Sequence, residues 1–189
     1  MNERELLVDC LRRLNRSGVT YYLTGSMASN YWGIPRTTHD LDFVVQLATE
    51  TIPNLVREFR QDFHVDEQAV RTAQTPPYQF HAIDERSSFK IDFWVLRAEP
   101  FEMSMFQHRL KISLSGEQSW IATAEDMILQ KLRWDFVTPS ERQVADAAGI
   151  VALQSENLDR FYLEKWAREL GIDEKVNKLL SGEIKPKTT

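Results

Sequence analysis

The run Asp40-Leu41-Asp42-Phe43-Val44-Val45 carries two acidic side chains into the start of a strand-like segment, which restricts how the chain can fold. In a strand, residues i and i+2 project from one face, about 7 Å apart along the chain. Asp40 and Asp42 therefore share a face, and Leu41, Phe43 and Val45 point into a core on the other. The run Phe89-Lys90-Ile91-Asp92-Phe93-Trp94-Val95-Leu96 repeats the logic, with Phe89, Ile91, Phe93 and Val95 on one face and Asp92 on the opposite one. If the two strands are neighbours, three carboxylates converge on one side of a sheet.

Like charges a few ångströms apart repel and raise each other's pKa, so such a cluster calls for cations. Hard divalent ions, Mg²⁺ or Mn²⁺, suit it. Mg²⁺ is typically held by one or two carboxylates plus phosphate oxygens. Two such ions about 4 Å apart can hold the attacking and leaving oxygens of an in-line phosphoryl displacement. In that arrangement Asp40 and Asp42 bridge the metals, and Asp92 completes one shell and accepts the attacking hydroxyl's proton. Upstream, Gly25-Ser26 follows the apolar run Val19 to Leu23. Glycine lets backbone approach a phosphate closely, and a short helix after it aims its first amides at the anion. The Ser26 hydroxyl is a further donor. Taken singly these pieces are ordinary: in a chain with 27% charged residues, a D-x-D pair is commonly a solvated strand end. Their order carries the information.

The remaining pattern supports one domain with a helical continuation. Leu6, Leu7, Cys10, Leu11 and Leu14 recur at helical spacing over residues 3 to 16. Met27 to Trp32 suits a short helix broken by Gly33-Ile34-Pro35, and Thr49 to Phe63 a longer one. Val70 to Gln74 suits a further short helix before Pro76-Pro77. Tyr78 to Ile83 and Phe89 to Leu96 read as a strand pair, and His108 to Leu114 with Gln118 to Ile121 as a hairpin across Ser115-Gly116-Glu117. From Thr123, a candidate N-cap, the pattern turns helical, with further helices over 139 to 153 and 158 to 170. Trp120, Trp134 and Trp166 read as core anchors. The tail from Ser181 to Thr189 is polar and expected to fray. The boundary expected from this shift separates residues 1–122 from a helical portion, 123–189, packed on them.

The net charge of −5 gives no global basic footprint for nucleic acid. The single cysteine, Cys10, excludes an intrachain disulfide and reads as a small core residue. No apolar run approaches the roughly 20 residues of a membrane span, and the N-terminus lacks a signal-peptide apolar region. A soluble, cytoplasmic protein without membrane partners is expected.

The segments Leu23-Thr24-Gly25-Ser26-Met27-Ala28 and Gly33-Ile34-Pro35-Arg36-Thr37-Thr38-His39-Asp40-Leu41-Asp42 resemble the nucleotidyltransferase superfamily, the DNA polymerase β-like fold. Within it, Gly-x-Pro-Arg-x-Thr-x-Asp-x-Asp is similar to a small prokaryotic branch that includes abortive-infection-type toxin nucleotidyltransferases. Thr123-Ala124-Glu125-Asp126-Met127-Ile128-Leu129-Gln130-Lys131-Leu132 is similar to that branch's later helix. The resemblance covers roughly residues 19 to 150. It implies an α+β (α/β) fold, a mixed sheet flanked by helices with a helical C-terminal portion.

The resemblance also implies transfer of a nucleoside monophosphate from a nucleoside triphosphate to a hydroxyl of a tRNA, a protein or a small molecule. Asp40, Asp42 and Asp92 would be the catalytic, metal-binding set. Gly25 and Ser26 would bind phosphate, and Lys131 would contact the triphosphate. Arg36 either neutralises triphosphate charge or pairs with an aspartate to hold its loop. Thr38 either belongs to the nucleotide site or braces the turn. Arg133, Arg142 and Asp146 match polar positions after the lysine, and ion pairs between helices account for them equally. A toxin–antitoxin or phage-defence role, with an antitoxin protein as partner, follows from the branch. The gap from Gly-Ser to D-x-D is longer than in antibiotic-modifying members. Ser29-Asn30-Tyr31 stands where tRNA-end-adding enzymes carry an arginine-and-aspartate signature. A catalytically silent nucleotide-binding or partner-binding module on the same fold is the alternative.

Overall fold

The computed structural model describes residues 2–186. Among them are nine helices and a seven-stranded mixed sheet. The chain divides into two compact units. One runs to Met27 and resumes over Thr38–Ile121, and the other takes Ala28–Thr37 and the chain from Ala122 onward.

The first unit holds the whole sheet: β1 (Thr20–Thr24), β2 (Asp40–Gln46), β3 (Phe63–Val65), β4 (Gln79–Asp84), β5 (Lys90–Val95), β6 (Leu110–Leu114) and β7 (Glu117–Ile121). Their order across the sheet is β3-β4-β5-β2-β1-β7-β6. β2 lies antiparallel to β1 and parallel to β5, and β1 lies parallel to β7. The alternation expected from the sequence is obeyed. Leu41, Phe43 and Val45 are buried, as are Ile91, Phe93 and Val95.

Aromatic contacts build the core on that face. Phe93 stacks on Phe80 and Phe43, with ring centroids 4.8 and 5.9 Å apart. Phe59 of α3 (Ile52–Phe59) meets Phe93 edge-on at 5.4 Å. Edge-to-face and offset rings use the quadrupole as well as the buried area. α1 (Glu3–Ser17) covers the same face, where Tyr21 Oη donates to Asn15 Oδ1 at 3.0 Å. Cys10 of α1 is fully buried, and burial pushes its thiol pKa up, so it behaves as the core residue expected. On the opposite face, Phe106 of α5 (Pro100–His108) lies 6.2 Å from the Tyr22 ring.

Several elements depart from the sequence pattern. The helix expected to reach Phe63 stops at Phe59, and Phe63 instead opens β3, an edge strand of three residues. α5 occupies a stretch with no assigned element, and α9 (Asp173–Leu180) follows the last expected helix. The short helix expected over Val70 to Gln74 is α4 (Glu67–Thr72), begun earlier by Asp66, whose side chain accepts from Gln68 N. Of the polar tail, residues 187–189 lie outside the described residues.

α2 (Gly25–Trp32) starts in the first unit and ends in the second, which otherwise comprises α6 (Ala124–Val137), α7 (Glu141–Gln154), α8 (Arg160–Leu170) and α9. Thr123 caps α6 as expected, its Oγ1 accepting from Asp126 N at 3.1 Å. Ser140 and Asp159 cap α7 and α8 in the same way. Gly33 and Gly149 let two backbones touch: a Cβ on Gly33 would lie 2.8 Å from Ile150 N. Trp166 is buried as expected, whereas Trp134 is 48% exposed. Trp134 stands at the margin of the row of Met127, Ile128, Lys131, Leu132 and Asp135, on the last turn of α6, where Phe136 and Val137 are exposed too. No helix among the described residues is long and apolar enough to cross a membrane.

Candidate active site

Strand register assembles the acidic face. On the parallel pair β2 and β5, Asp42 and Asp92 are direct Cα partners, and Asp40 is the partner of Lys90. Directly opposed residues on neighbouring strands share a face about 4.8 Å apart. Asp40, Asp42 and Asp92 therefore lie on one side of the sheet, behind the aromatic core. Thr24 of β1 and His81 of β4 extend the row through Asp42 and Asp92.

The two central carboxylates are held by neighbours two residues along. Lys90 Nζ sits 2.8 Å from Asp92 Oδ2, and Gln79 Nε2 donates to Asp92 Oδ1 at 3.1 Å. Trp94 Nε1 donates to Asp42 Oδ1 at 3.3 Å. Asp92 is buried, Asp42 is half-buried, and Asp40 is exposed at the strand's mouth. The Lys90 ammonium is held above its ordinary pKa, first by the bond to Asp92 and further by the Asp40 and Asp42 charges.

Gly25 is the second component. It opens α2 with φ +62°, and a Cβ there would lie 2.1 Å from Asp42 Oδ2. The backbone that leads into the helix N-terminus thus passes against the Asp42 carboxylate, a distance that only glycine permits. Ser26 is the second residue of α2. Thr38 is buried in the turn before β2, and its Oγ1 accepts from Asp40 N at 3.4 Å, which braces the strand entry. His39 is exposed and faces away from the row, 3.2 Å from Glu3 Oε1 and stacked on Phe89 at 5.9 Å.

Arg36 and Lys131 belong to the second unit and meet on one acid. Arg36 Nε and Nη2 donate to the two oxygens of Asp146, at 2.7 and 2.9 Å, and Lys131 Nζ lies 2.9 Å from Asp146 Oδ2. Burial pushes the Asp146 carboxyl up, but the bonds and charges of Arg36 and Lys131 outweigh it and hold the group below its ordinary range. Asn30 staples the loop that carries Arg36: its Nδ2 donates to Arg36 O at 2.7 Å, and its Oδ1 accepts from Arg36 N at 3.1 Å. The aspartate pairing weighed for Arg36 is therefore present, and Lys131 is buried rather than solvated.

The donor set can be tested against a divalent ion. Among the described residues, no group of three His, Cys, Asp or Glu side chains is arranged to hold an ion. Mg²⁺ bound with phosphates does not need one, since one or two carboxylates with phosphate oxygens and water fill its shell. Asp42 and Asp92 in register, with Asp40 one step along the same face, fit that nucleotide-bridged mode. Lys90 and Gln79 were missed in the sequence. Lys90 shares the two-residue alternation of Asp92, so its face was readable there. Gln79 meets Asp92 only through the register of β4 on β5.

No family model and no curated protein matches the chain. Solved structures do. The solution structure of the antibiotic-resistance factor ANT(2'')-Ia shares 11% identity at a TM-score of 0.60, over 93% of this chain and 97% of that one. A crystal structure of ANT(2'')-Ia in complex with adenylyl-2''-tobramycin shares 14% at 0.52, over 96% and 97%. An antigenic nucleotidyltransferase-like protein from Paracoccidioides brasiliensis shares 14% at 0.54, over 98% and 94%. The likeness at these identities is one of fold. The mixed sheet with flanking helices and a helical C-terminal portion is a nucleotidyltransferase-like architecture.

Proposed function

We propose that this chain is a metal-dependent nucleotidyltransferase that moves a nucleoside monophosphate from a nucleoside triphosphate to a hydroxyl acceptor. One observation carries the reading: Asp42 lies in register with Asp92 while the Gly25 backbone, at the mouth of α2, runs against the Asp42 carboxylate. A phosphate-binding turn and a pair of metal-ligating carboxylates thereby share one position. In the proposed reaction the acceptor oxygen attacks the α-phosphorus, the bond to the β-phosphate breaks, and pyrophosphate leaves. The hydroxyl proton passes to Asp92.

Asp40, Asp42 and Asp92 would hold Mg²⁺ or Mn²⁺, which supplies charge neutralisation to the attacking and leaving oxygens. Gly25 and Ser26 would bind phosphate through backbone and hydroxyl donors. Arg36 and Lys131 would neutralise triphosphate charge, with Asp146 keeping both extended. Thr38 would hold the strand entry in place for Asp40.

A small-molecule acceptor is supported by the fold's occurrence in a protein complexed with an adenylylated aminoglycoside. A tRNA or protein acceptor, and a role as the toxin of a toxin–antitoxin or phage-defence pair with an antitoxin protein as partner, are supported by the Gly-x-Pro-Arg-x-Thr-x-Asp-x-Asp run.

The test is incubation of the folded protein with Mg²⁺ and each labelled nucleoside triphosphate, offered tRNA, protein extract and aminoglycosides in turn. Transfer to one class is expected. Asp42→Asn and Asp92→Asn should each reduce it at least about a hundredfold while circular dichroism stays unchanged. Retained transfer in either variant would remove that carboxylate from the site. Nucleotide binding by calorimetry with no transfer to any acceptor would instead support the silent binding module.

A further inference from the structure

We infer that Lys90 is a tethered cation that occupies Asp92 until a divalent ion displaces it, so that metal entry and release of the lysine are one event. The inference rests on the metal site proposed above and concerns what fills it beforehand.

Lys90 is the Cα partner of Asp40 and stands two residues before Asp92, so its side chain rises from the carboxylate face. Its ammonium lies 2.8 Å from Asp92 Oδ2. The two ends of that pair are unequally solvated: the Asp92 side chain is 10% exposed and the Lys90 side chain 49%. A carboxylate so poorly hydrated needs a cation, whereas an ammonium on a flexible four-carbon stem can leave for water at little cost. Gln79 occupies the other Asp92 oxygen with a neutral donor, so the charge on Asp92 is balanced mainly from Lys90. A dication and an ammonium on one carboxylate repel strongly at these distances. Asp92 therefore takes one or the other. The lysine keeps the three carboxylates from repelling one another in the resting protein and sets the threshold that an incoming ion must exceed.

Mn²⁺ binding without nucleotide, measured by calorimetry and by the loss of its free electron-paramagnetic signal, tests this. Lys90→Met is expected to bind Mn²⁺ about tenfold or more tightly than the wild type, and Lys90→Arg to restore the weaker binding. Adding Asp92→Asn to Lys90→Met should abolish the gain. Equal or weaker binding by Lys90→Met, or a gain that survives Asp92→Asn, would overturn the inference. A second measurement needs no variant. Acetylation of Lys90 by acetic anhydride, followed by mass spectrometry of the wild type, should quicken several-fold on adding Mg²⁺, with exposed lysines such as Lys111 as internal references. An unchanged rate would likewise overturn it. Asp42→Asn separates the two levels. If it leaves Mn²⁺ binding untouched in the wild type and Lys90→Met alike, the metal site itself is wrong. If it removes binding while Lys90→Met and wild type match, only the role of Lys90 is.

Discussion

Gly25 and Asp42 compete for the same small volume. A Cβ at Gly25 would lie 2.1 Å from Asp42 Oδ2 and 2.7 Å from Asp42 Cβ, at a backbone φ of +62°. The left-handed conformation alone costs an L-residue about 1–2 kcal/mol, and displacing the carboxylate adds to it. Gly25→Ala is expected to lose about 3 kcal/mol in urea unfolding. In an Asp42→Gly background only the backbone share should remain, so the pair should couple by at least about 1 kcal/mol; strictly additive losses would show that the two do not compete. Gly25, Asp42 and Asp92 were all identifiable from residue type and spacing. The supports of the carboxylates were less so. Trp94 and Lys90 follow the alternation of Asp92, but nothing in a linear reading says that an indole donates to Asp42 across the strand pair.

Secondary-structure elements were recovered where their signals are local. β2 starts at Asp40 as expected because alternation and a polar start define it. α6 begins at its Thr123 cap, and Thr123→Ala should cost about 1 kcal/mol, read as a lower urea midpoint with an unchanged slope. β3 was hidden because three residues cannot display a period, and Phe63 fits a helical apolar row equally well. α5 was hidden because its buried residues, Phe101, Met105 and Phe106, form too short a stripe to stand apart.

Ion pairs between elements differ by burial. Arg13 of α1 is 5% exposed, pairs with Asp9 at 3.0 Å and with Asp62, and covers the Phe63 ring at 5.0 Å. Arg13→Met leaves two carboxylates short of a partner and should cost about 2 kcal/mol, below the range for fully buried pairs because both acids are partly hydrated. Arg12, paired with Glu117 at 2.7 Å but with a side chain 54% exposed, should change stability by less than about 0.5 kcal/mol when made alanine. Equal losses from the two would contradict the burial argument.

For the molecule as a whole, acid stability follows from carboxyls held below their ordinary pKa. Burial raises Asp146, Asp9 and Asp135, but Arg36 and Lys131, Arg86 and Arg13, and Lys175 with the Ser140 amide respectively outweigh it. Each folded pKa is then lower than the unfolded one, so each contribution is complete above about pH 4 and disappears as pH falls through the folded value. Thermal midpoints should be flat from pH 7 to about 5 and drop below about 4. Asp146→Asn should cost about 3 kcal/mol at pH 7, and its gap from wild type should narrow as pH drops below about 4; a gap that widens would reverse the sign of the linkage.

Alternation, glycine chemistry and helix caps are properties of a few consecutive residues, and they were enough to define the acidic strand face and the Gly25-Ser26 step, while the nucleotidyltransferase-like fold class came from the family resemblance of the segments that hold them. Pairing of Asp42 with Asp92, of Lys90 with Asp92, and of Arg36 with an acid 110 residues away required the folded chain. Register and long-range ion pairs depend on which apolar faces bury together, and that energy comes from partners distant in sequence.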